Sequence, residues 1–223
     1  MDFPTRLVTP ELLPQYEHHN LAAMERLATA SPFDVAVDAF IFLRHGQTNG
    51  NLHKVFQPED IPLNENGLAQ AERAAAMLEG EPVEQIYASP MRRAFQTAQA
   101  AARVTNAALA PEDGLKERWF GDLVGTSSLN LDWGFDPPNG ERLADFVTRV
   151  RETSARRLGE SPERRTMLVA HGGVLYALAF ALRAVIEPVF IENATPLRFA
   201  RESGRWIITP LGLSDSRLGA SGV

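Results

Sequence analysis

The chain contains 223 residues with a formal net charge of −6, and it has no cysteine. The absence of cysteine excludes disulfides, thiol nucleophiles, cysteine-based zinc sites and iron–sulfur clusters. The net negative charge argues against nucleic acid or an anionic membrane as a partner, but it is compatible with a small positive pocket. Only Lys54 and Lys116 are lysines, and neither follows a glycine-rich loop of the nucleotide-binding kind.

Residues 1–38 differ in pattern from the rest of the chain and predict a helical extension. Thr9 is a typical helix N-cap with proline after it, and apolar residues then recur at helical spacing over about 10–30. An amphipathic helix of this kind usually packs on the main domain, which is the interpretation we favour. A lid over a binding site and a contact in a homodimer are the alternatives.

From residue 39 onward, strand-like and helix-like segments alternate. Continuous apolar runs at 39–43 and 166–170 are typical of strands buried on both faces. The other predicted elements are strands at 83–88 and 107–109, a hairpin of 197–201 with 206–209, and helices at about 67–80, 90–104, 140–159 and 173–186. This alternation predicts a three-layer α/β/α sandwich with a mainly parallel central sheet, in one domain at 39–223 with a flexible tail at 212–223.

No segment of the sequence is apolar for long enough to span a membrane. The longest apolar run, at 174–182, has nine residues, whereas a membrane-spanning helix needs about 20. The first residues show no basic segment leading into an apolar one, so a secretory signal is not predicted. We therefore expect a cytoplasmic protein.

Two histidines occupy equivalent positions, since His45 and His171 each follow a predicted buried strand and precede a glycine. Ligands bind at the carboxyl edge of parallel sheets, so we expect these two side chains to meet at one site. Arg44 lies beside His45, and Arg93 lies one helical turn beyond the end of a third strand. Such a cationic pocket suits a phosphoryl group, with histidine as a nucleophile and with no need for a metal ion.

The His-Gly-Gly sequence at 171–173 has a second interpretation, as the oxyanion loop of a lipase. That loop works together with a G-x-S-x-G nucleophile elbow. No glycine of this chain begins such a sequence, and we therefore reject the lipase interpretation.

Six short segments extend the pattern along most of the chain. They are FLRHGQT at 42–48, DIPLNENG at 60–67, ASPMRRAFQT at 88–97, LKER with FG at 115–121, PNGE at 138–141 and VAHGG at 169–173. Together and in this order, they resemble the signatures of the histidine phosphatase superfamily, in its phosphoglycerate mutase-like branch. The resemblance covers about 39–210 and implies the same sandwich fold, phosphoryl transfer from a small phosphorylated substrate, and no cofactor.

The resemblance also implies roles for individual residues. The five implied catalytic residues are His45, Arg44, Arg93, Glu117 and His171. The five implied substrate contacts are Asn51, Thr48, Ser89, Arg118 and Gly172, with Asn51 and Ser89 serving either as phosphate contacts or as scaffold. In the family, the histidine that matches His45 forms a phosphohistidine, and the carboxylic acid that matches Glu117 protonates the leaving oxygen.

These implied roles place physical requirements on the site. His45 must be neutral to attack, and the nearby charges of Arg44 and Arg93 should lower its pKa. Glu117 must hold a proton, and burial beside a phosphate dianion would raise its pKa.

The sequence departs from the family pattern at two places. Val55 stands where the family often has an arginine that contacts phosphate or substrate. The segment between Glu117 and Gly140 is short, whereas cofactor-dependent phosphoglycerate mutases carry a long insertion there that covers the site. Retaining the phosphoryl group requires the exclusion of water, so the short segment favours hydrolysis. Its apolar side chains form either a small cap on the substrate mouth or a local core cluster, and they are Leu129, Leu131, Trp133 and Phe135.

The sequence therefore predicts metal-independent hydrolysis of a phosphomonoester through a phosphohistidine at His45. A phosphoglycerate mutase, which would use the same intermediate, is the first alternative. A non-catalytic module that binds a phosphorylated ligand or a protein is the second.

Overall fold

A computed structural model describes residues 21–129 and 131–212 of the chain. Its helices are α1 (Ala22–Thr29), α2 (Asn49–Leu52), α3 (Glu65–Met77), α4 (Arg92–Thr105), α5 (Leu143–Gly159) and α6 (Gly172–Ala181). Its strands are β1 (Ala39–Arg44), β2 (Gln85–Ala88), β3 (Ala108–Pro111), β4 (Thr166–Ala170), β5 (Pro196–Glu202) and β6 (Arg205–Pro210).

The six strands form one sheet in the order β3-β2-β4-β1-β5-β6. The first four strands of this order run parallel to one another, while β5 and β6 form an antiparallel hairpin at one side. The structure thus confirms the predicted α/β fold with a mainly parallel sheet. The antiparallel pairing of β5 with β6 follows from the tight turn of the hairpin, which needs no crossover helix.

Helices cover both faces of the sheet, and strand β1 shows how the sequence achieves this. Phe40 and Phe42 pack into a core shared with α1, α5 and α6. Ile41 and Leu43 point to the opposite face and pack against α3 and α4. Because successive side chains of a strand alternate between faces, a strand covered on both sides reads as a continuous apolar run.

The predicted elements occur, with shifts at their ends. Strand β4 has the predicted bounds, whereas α6 ends at Ala181 instead of about 186. The helix stops because Arg183 has a positive φ of 56°, a left-handed conformation that a helix does not continue through. Helix α3 begins before Gly67, because the side chain of Asn64 accepts a hydrogen bond from the Gly67 N–H and caps the helix.

The described part of the predicted N-terminal helix is α1, and it packs on the main domain against α5 and α6. Met24 and Ala28 are fully buried in the core there. The earlier part of the predicted helix and all but the first residue of the predicted tail lie outside the described residues. Among the helices that the structure describes, none combines the length and the apolar character needed to cross a bilayer.

Candidate active site

The register of the central strands places the two histidines side by side. Arg44 at the end of β1 pairs with Ala170 at the end of β4, so His45 and His171 leave the sheet at the same edge. The centroids of the two imidazole rings lie 5.1 Å apart. The backbone N–H of His45 donates to the Ala170 carbonyl at 3.0 Å, and this hydrogen bond fixes the start of the loop after β1. The carboxyl edge of the parallel strands is therefore where the chemistry-bearing side chains converge.

His45 is buried and held in one tautomer. Its Nδ1 lies 2.7 Å from the carbonyl oxygen of Gly46. A carbonyl can only accept, so Nδ1 carries the proton and Nε2 keeps the lone pair that a nucleophile needs. Burial, followed by the charges of Arg93 and Arg44, holds the pKa of His45 well below its usual value of 6.5. The ring is neutral in the physiological pH range.

Gly46 itself is required by close packing, because a Cβ there would lie 2.5 Å from the carbonyl oxygen of Gly67. The carbonyl oxygen of Gln47 would in turn lie 2.0 Å from a Cβ at Gly67. The loop after β1 thus lies directly on the first turn of α3, and this contact sets the position of the His45 backbone. Two glycines of the sequence signatures therefore serve backbone approach rather than chemistry.

Arg93 supplies a buried positive charge to the site. It lies in the first turn of α4 and is 3% exposed. Its guanidinium donates to the Pro58 carbonyl at 3.0 Å and to the Met91 thioether at 3.3 Å, while its Nε has no partner within the described ranges. Burial lowers the pKa of Arg93 to about 10, and Arg44 adds to this effect against the opposing charge of Glu117. A buried guanidinium with an unmatched donor fits an anionic ligand.

Arg44 reaches the same cleft from the end of β1. Its guanidinium donates to the carbonyl oxygen of Ile191, in the short 3₁₀ helix Pro188–Ile191. Gly172, at the start of α6, lies close to this guanidinium, since a Cβ there would be 3.6 Å from Nε of Arg44. Gly172 also lines the cleft, and its contact with a substrate stays a prediction.

His171 is fully buried behind His45, and Ser89 fixes its orientation. The Nε2 atom of His171 lies 2.8 Å from Oγ of Ser89, which follows the end of β2. The other ring nitrogen, Nδ1, is a buried atom without a partner in the part of the chain that the structure describes. Burial and then Arg93 keep the pKa of His171 well below its usual value. Ser89 thus orients His171 in this structure, which is the scaffold alternative of its predicted role.

Glu117 is held by two backbone N–H groups. Its Oε1 accepts from Arg118 and its Oε2 accepts from Gly173, each at 3.0 Å. Removal from water raises the pKa of Glu117, although these hydrogen bonds and the charges of Arg93 and Arg44 oppose the rise. A carboxyl group with a raised pKa beside a nucleophile is suited to donate and accept a proton.

Gly173 is a functional position that the sequence reasoning missed. A Cβ at this position would lie 2.3 Å from Oε1 of Glu117 and 2.5 Å from Cη2 of Trp133. Only glycine allows the start of α6 to approach the carboxyl group closely enough for the hydrogen bond. The signal in the sequence is the second glycine after His171, in the His-Gly-Gly sequence that also resembles the oxyanion loop of a lipase.

Thr48 and Asn51 are engaged with each other more than with the cleft. They form a capping box on α2, in which Oγ1 of Thr48 accepts from the Asn51 N–H and Oδ1 of Asn51 accepts from the Thr48 N–H. Thr48 is fully buried, so its predicted substrate contact is not what the structure shows. Asn51 also lines the cleft.

Arg118 is among the residues that line the cleft, but its guanidinium is engaged by the loop that follows. Its guanidinium donates to the carbonyl oxygens of Trp133 and Glu141 and to the carboxylate of Asp136, at 2.7 to 2.9 Å. The nitrogen that donates to Asp136 also donates to the Phe135 carbonyl. The guanidinium is fully buried in the loop that it stabilises. The structure therefore assigns Arg118 to the positioning of residues 133–141.

The site lies at the base of a cleft with a volume of about 1130 Å³. Arg44, His45, Arg93 and Glu117 line its base, and Lys54 and Val55 lie on its wall. The apolar segment after Glu117 was predicted to form either a cap on the substrate mouth or a local core cluster, and in the structure it contributes to both the cleft and the core. Trp133 is buried in the core, with its ring 5.8 Å from Phe120 and 6.1 Å from Phe146. The segment's other cleft residues are Leu129 and Leu131.

Within residues 21–129 and 131–212, no group of three histidine or carboxylate side chains is arranged as a metal site. The polar groups at the base of the cleft are two guanidinium groups, one neutral imidazole and one carboxyl group, and the buried imidazole of His171 lies beside that of His45. This donor set fits an anion with several oxygens, such as a phosphoryl group.

Comparisons with known proteins agree with this arrangement. The chain is 33% identical over 184 residues to an agropine synthesis reductase of Rhizobium rhizogenes, an alignment that covers 78% of this chain but only 42% of that protein. It is 32% identical to the glucosyl-3-phosphoglycerate phosphatase of Mycobacterium tuberculosis, over 64% of this chain and 74% of that one. It is also 32% identical to a 2,3-bisphosphoglycerate-dependent phosphoglycerate mutase of Methylobacterium, over 64% and 79% of the two chains.

The fold comparison extends over more of the chain. The native structure of a mycobacterial glucosyl-3-phosphoglycerate phosphatase superposes with a TM-score of 0.64 and 27% identity, over 79% of this chain and 99% of that one. The family description that matches residues 40–208 is the histidine phosphatase superfamily, branch 1. This match includes every strand except the first residue of β1 and the end of β6, together with both histidines and Glu117. The chain belongs to the histidine phosphatase superfamily.

Proposed function

We propose that the protein hydrolyses a phosphomonoester through a phosphohistidine formed at His45. The observation that carries the proposal is a neutral imidazole whose Nδ1–H is held by Gly46, which leaves Nε2 as a nucleophile between two guanidinium groups. The family and its phosphatase members support this assignment.

Two steps make up the reaction. Nε2 of His45 attacks phosphorus, the ester P–O bond breaks, and Glu117 gives its proton to the leaving oxygen, so that an alcohol departs. Water then attacks the phosphohistidine, Glu117 takes a proton from that water, and the P–N bond breaks to release phosphate. The raised pKa of Glu117 suits it to both directions of proton transfer.

The positive charge for both steps comes from the protein. Arg93 and Arg44 face the phosphoryl oxygens, and Nδ1 of His171, which has no partner among the described residues, supplies a further hydrogen-bonding group. Fixed charges in a desolvated site stabilise a transition state more strongly than the same charges in water. We therefore propose that the reaction needs no metal ion, so that a chelator leaves the rate unchanged.

The phosphoglycerate mutase alternative uses the same first step and retains the phosphoryl group for return to the substrate. Here the segment after Glu117 is short, and its Trp133 packs into the core while also lining the cleft. Access of water to the phosphohistidine favours hydrolysis. Incubation with 3-phosphoglycerate separates the two functions, because hydrolysis releases phosphate and a mutase forms the 2-isomer.

The test of the proposal is His45→Ala, with His53→Ala as the control. His53 is exposed at the end of α2 and does not line the cleft. We expect His45→Ala to reduce kcat on a small phosphate ester by at least about 10³-fold and to abolish acid-labile phosphate on the protein, while His53→Ala matches the wild type. Equal rates and no trapped phosphoenzyme would refute the mechanism, and phosphate binding without any turnover would favour the non-catalytic module.

A further inference from the structure

Helix α1 precedes the part of the chain that matches the family, which begins at residue 40, yet it forms one wall of the cleft. Leu21, Ala22, Glu25 and Thr29 line the cleft from this helix and the residue before it. We propose that α1 together with Leu129, Leu131 and Trp133 forms an apolar leaving-group subsite, so that the preferred substrate is a phosphate ester of an apolar alcohol. This inference rests on the proposed phosphatase activity.

The α1 wall is fixed in place, which a specificity element requires. The guanidinium of Arg151, in α5, donates to the carbonyl oxygen of Ala28 within α1. Beyond the end of α1 it also donates to the Pro32 carbonyl and, at 2.8 Å, to Oγ of Ser31. The guanidinium of Arg183 donates to the Thr29 carbonyl at 3.4 Å. These cationic groups meet the C-terminal end of α1, where the carbonyl oxygens and the helix dipole favour positive charge.

The α1 wall is also continuous with the segment after Glu117. Trp133 is buried and lines the cleft, and a Cβ at the neighbouring Gly134 would lie 3.3 Å from Cβ of Ala23 in α1. The two elements therefore meet at the rim of the cleft. Tyr176 and Phe180 of α6 stack with ring centroids 6.1 Å apart and complete the surface between them.

The outer cleft is lined by many apolar side chains and by charges of both signs. Its large apolar side chains include Leu21, Leu129, Leu131, Trp133, Tyr176 and Phe180. Its charged side chains beyond the phosphoryl site are Glu25, Glu192, Lys54 and Arg183, apart from Arg118, whose guanidinium is paired with Asp136. A leaving group with a carboxylate or a second phosphate finds no concentration of positive charge there, whereas an alkyl or aryl group finds apolar surface to bury.

A series of n-alkyl phosphates from ethyl to hexyl tests the inference. Their alcohols differ little in acidity, so differences in kcat/KM report burial rather than leaving-group chemistry. We expect kcat/KM of the wild type to rise by up to about fourfold per added methylene, the factor that corresponds to about 0.8 kcal/mol per buried CH₂. Leu21→Gln and Leu131→Gln should reduce this dependence on chain length, with ethyl phosphate least affected.

Leu27→Gln is the matched control for Leu21→Gln. Leu27 lies on the same helix, is 38% exposed and does not line the cleft, so its substitution should leave the wild-type dependence unchanged. Thermal denaturation verifies that each variant is folded. A wild type that hydrolyses ethyl phosphate through His45 but shows no gain with chain length, or that prefers 3-phosphoglycerate to hexyl phosphate, overturns the subsite while the phosphatase activity stands. Failure on every ester, with no phosphoenzyme, overturns the proposed activity itself.

Discussion

Gly173→Ala tests most directly how the protein holds its proton donor. A Cβ at position 173 would lie 2.3 Å from Oε1 of Glu117 and 2.5 Å from Cη2 of Trp133. Trp133 is confined by the rings of Phe120 and Phe146, so the carboxyl group is the neighbour with room to move. We therefore expect the substitution to displace Glu117 and to break its hydrogen bond with the N–H of residue 173.

The size of the effect depends on the leaving group. General acid catalysis contributes about 10²–10⁴-fold, and an alkyl phosphate needs most of it because an alkoxide is a poor leaving group. Nitrophenyl phosphate needs little, because nitrophenolate departs without a proton. Overpacking of this kind costs about 1–3 kcal/mol of the free energy of unfolding, which is smaller than the stability of an ordinary domain at about 5–15 kcal/mol.

The assay compares kcat/KM for ethyl phosphate and nitrophenyl phosphate in the wild type, Gly173→Ala and Glu117→Gln. Gly159→Ala is the control, since its Cβ would meet only Cβ of Ala36 at 3.7 Å. We expect Gly173→Ala to follow Glu117→Gln, with a large loss on ethyl phosphate and a small loss on nitrophenyl phosphate. An equal loss on both esters, or full activity on ethyl phosphate, would refute the reasoning.

Three further predictions concern the buried histidines and Glu117. Ser89→Ala leaves the buried Nε2 of His171 without its hydroxyl partner, so the free energy of unfolding in urea should fall by about 1–3 kcal/mol. We also expect kcat to fall more than KM rises. An unchanged kcat would show that Ser89 does not position His171. The lowered pKa of His45 places the acid limb of kcat/KM well below pH 6.5, and the raised pKa of Glu117 places the basic limb above pH 4.5. An acid limb of kcat/KM at or above pH 6.5 would contradict the environment found for His45. The same lowered pKa values of His45 and His171 make the free energy of unfolding decrease as pH falls below 6.5, because the unfolded chain then binds protons that the folded chain does not.

The centre of the sheet could be predicted because β1 and β4 are buried on both faces. The run at 39–43 is apolar at every position and the run at 166–170 at every position after Thr166, and this pattern marked the two strands and the histidines that follow them. The ends of α6 and α3 could not be predicted by the same means. A left-handed Arg183 and a capping Asn64 decide them, and either residue type is also common within helices or loops.

The candidate site also has a part that the sequence predicted and a part that it did not. The two histidines, Arg44 and Arg93 were predicted from the ends of strands, and Glu117 was predicted from the family resemblance. In the structure Arg44, His45, Arg93 and Glu117 line one cleft, and His171 lies buried beside His45. Residues matched only by their position in a motif were less well predicted. Sequence position alone does not show which way a side chain points, and in the structure Thr48 caps a helix and Arg118 stabilises a loop.

By itself, the sequence determined the order of strands and helices and the residues that follow the ends of the strands. Those properties depend on local hydrophobic periodicity and on short motifs, which involve residues that are close together in sequence. Tertiary structure alone decided which nitrogen of His45 is free, that Gly173 makes room for Glu117, and that α1 lines the cleft. Each of these depends on contacts between segments that are distant in sequence or on the orientation of one side chain, and the packing of the whole domain sets both.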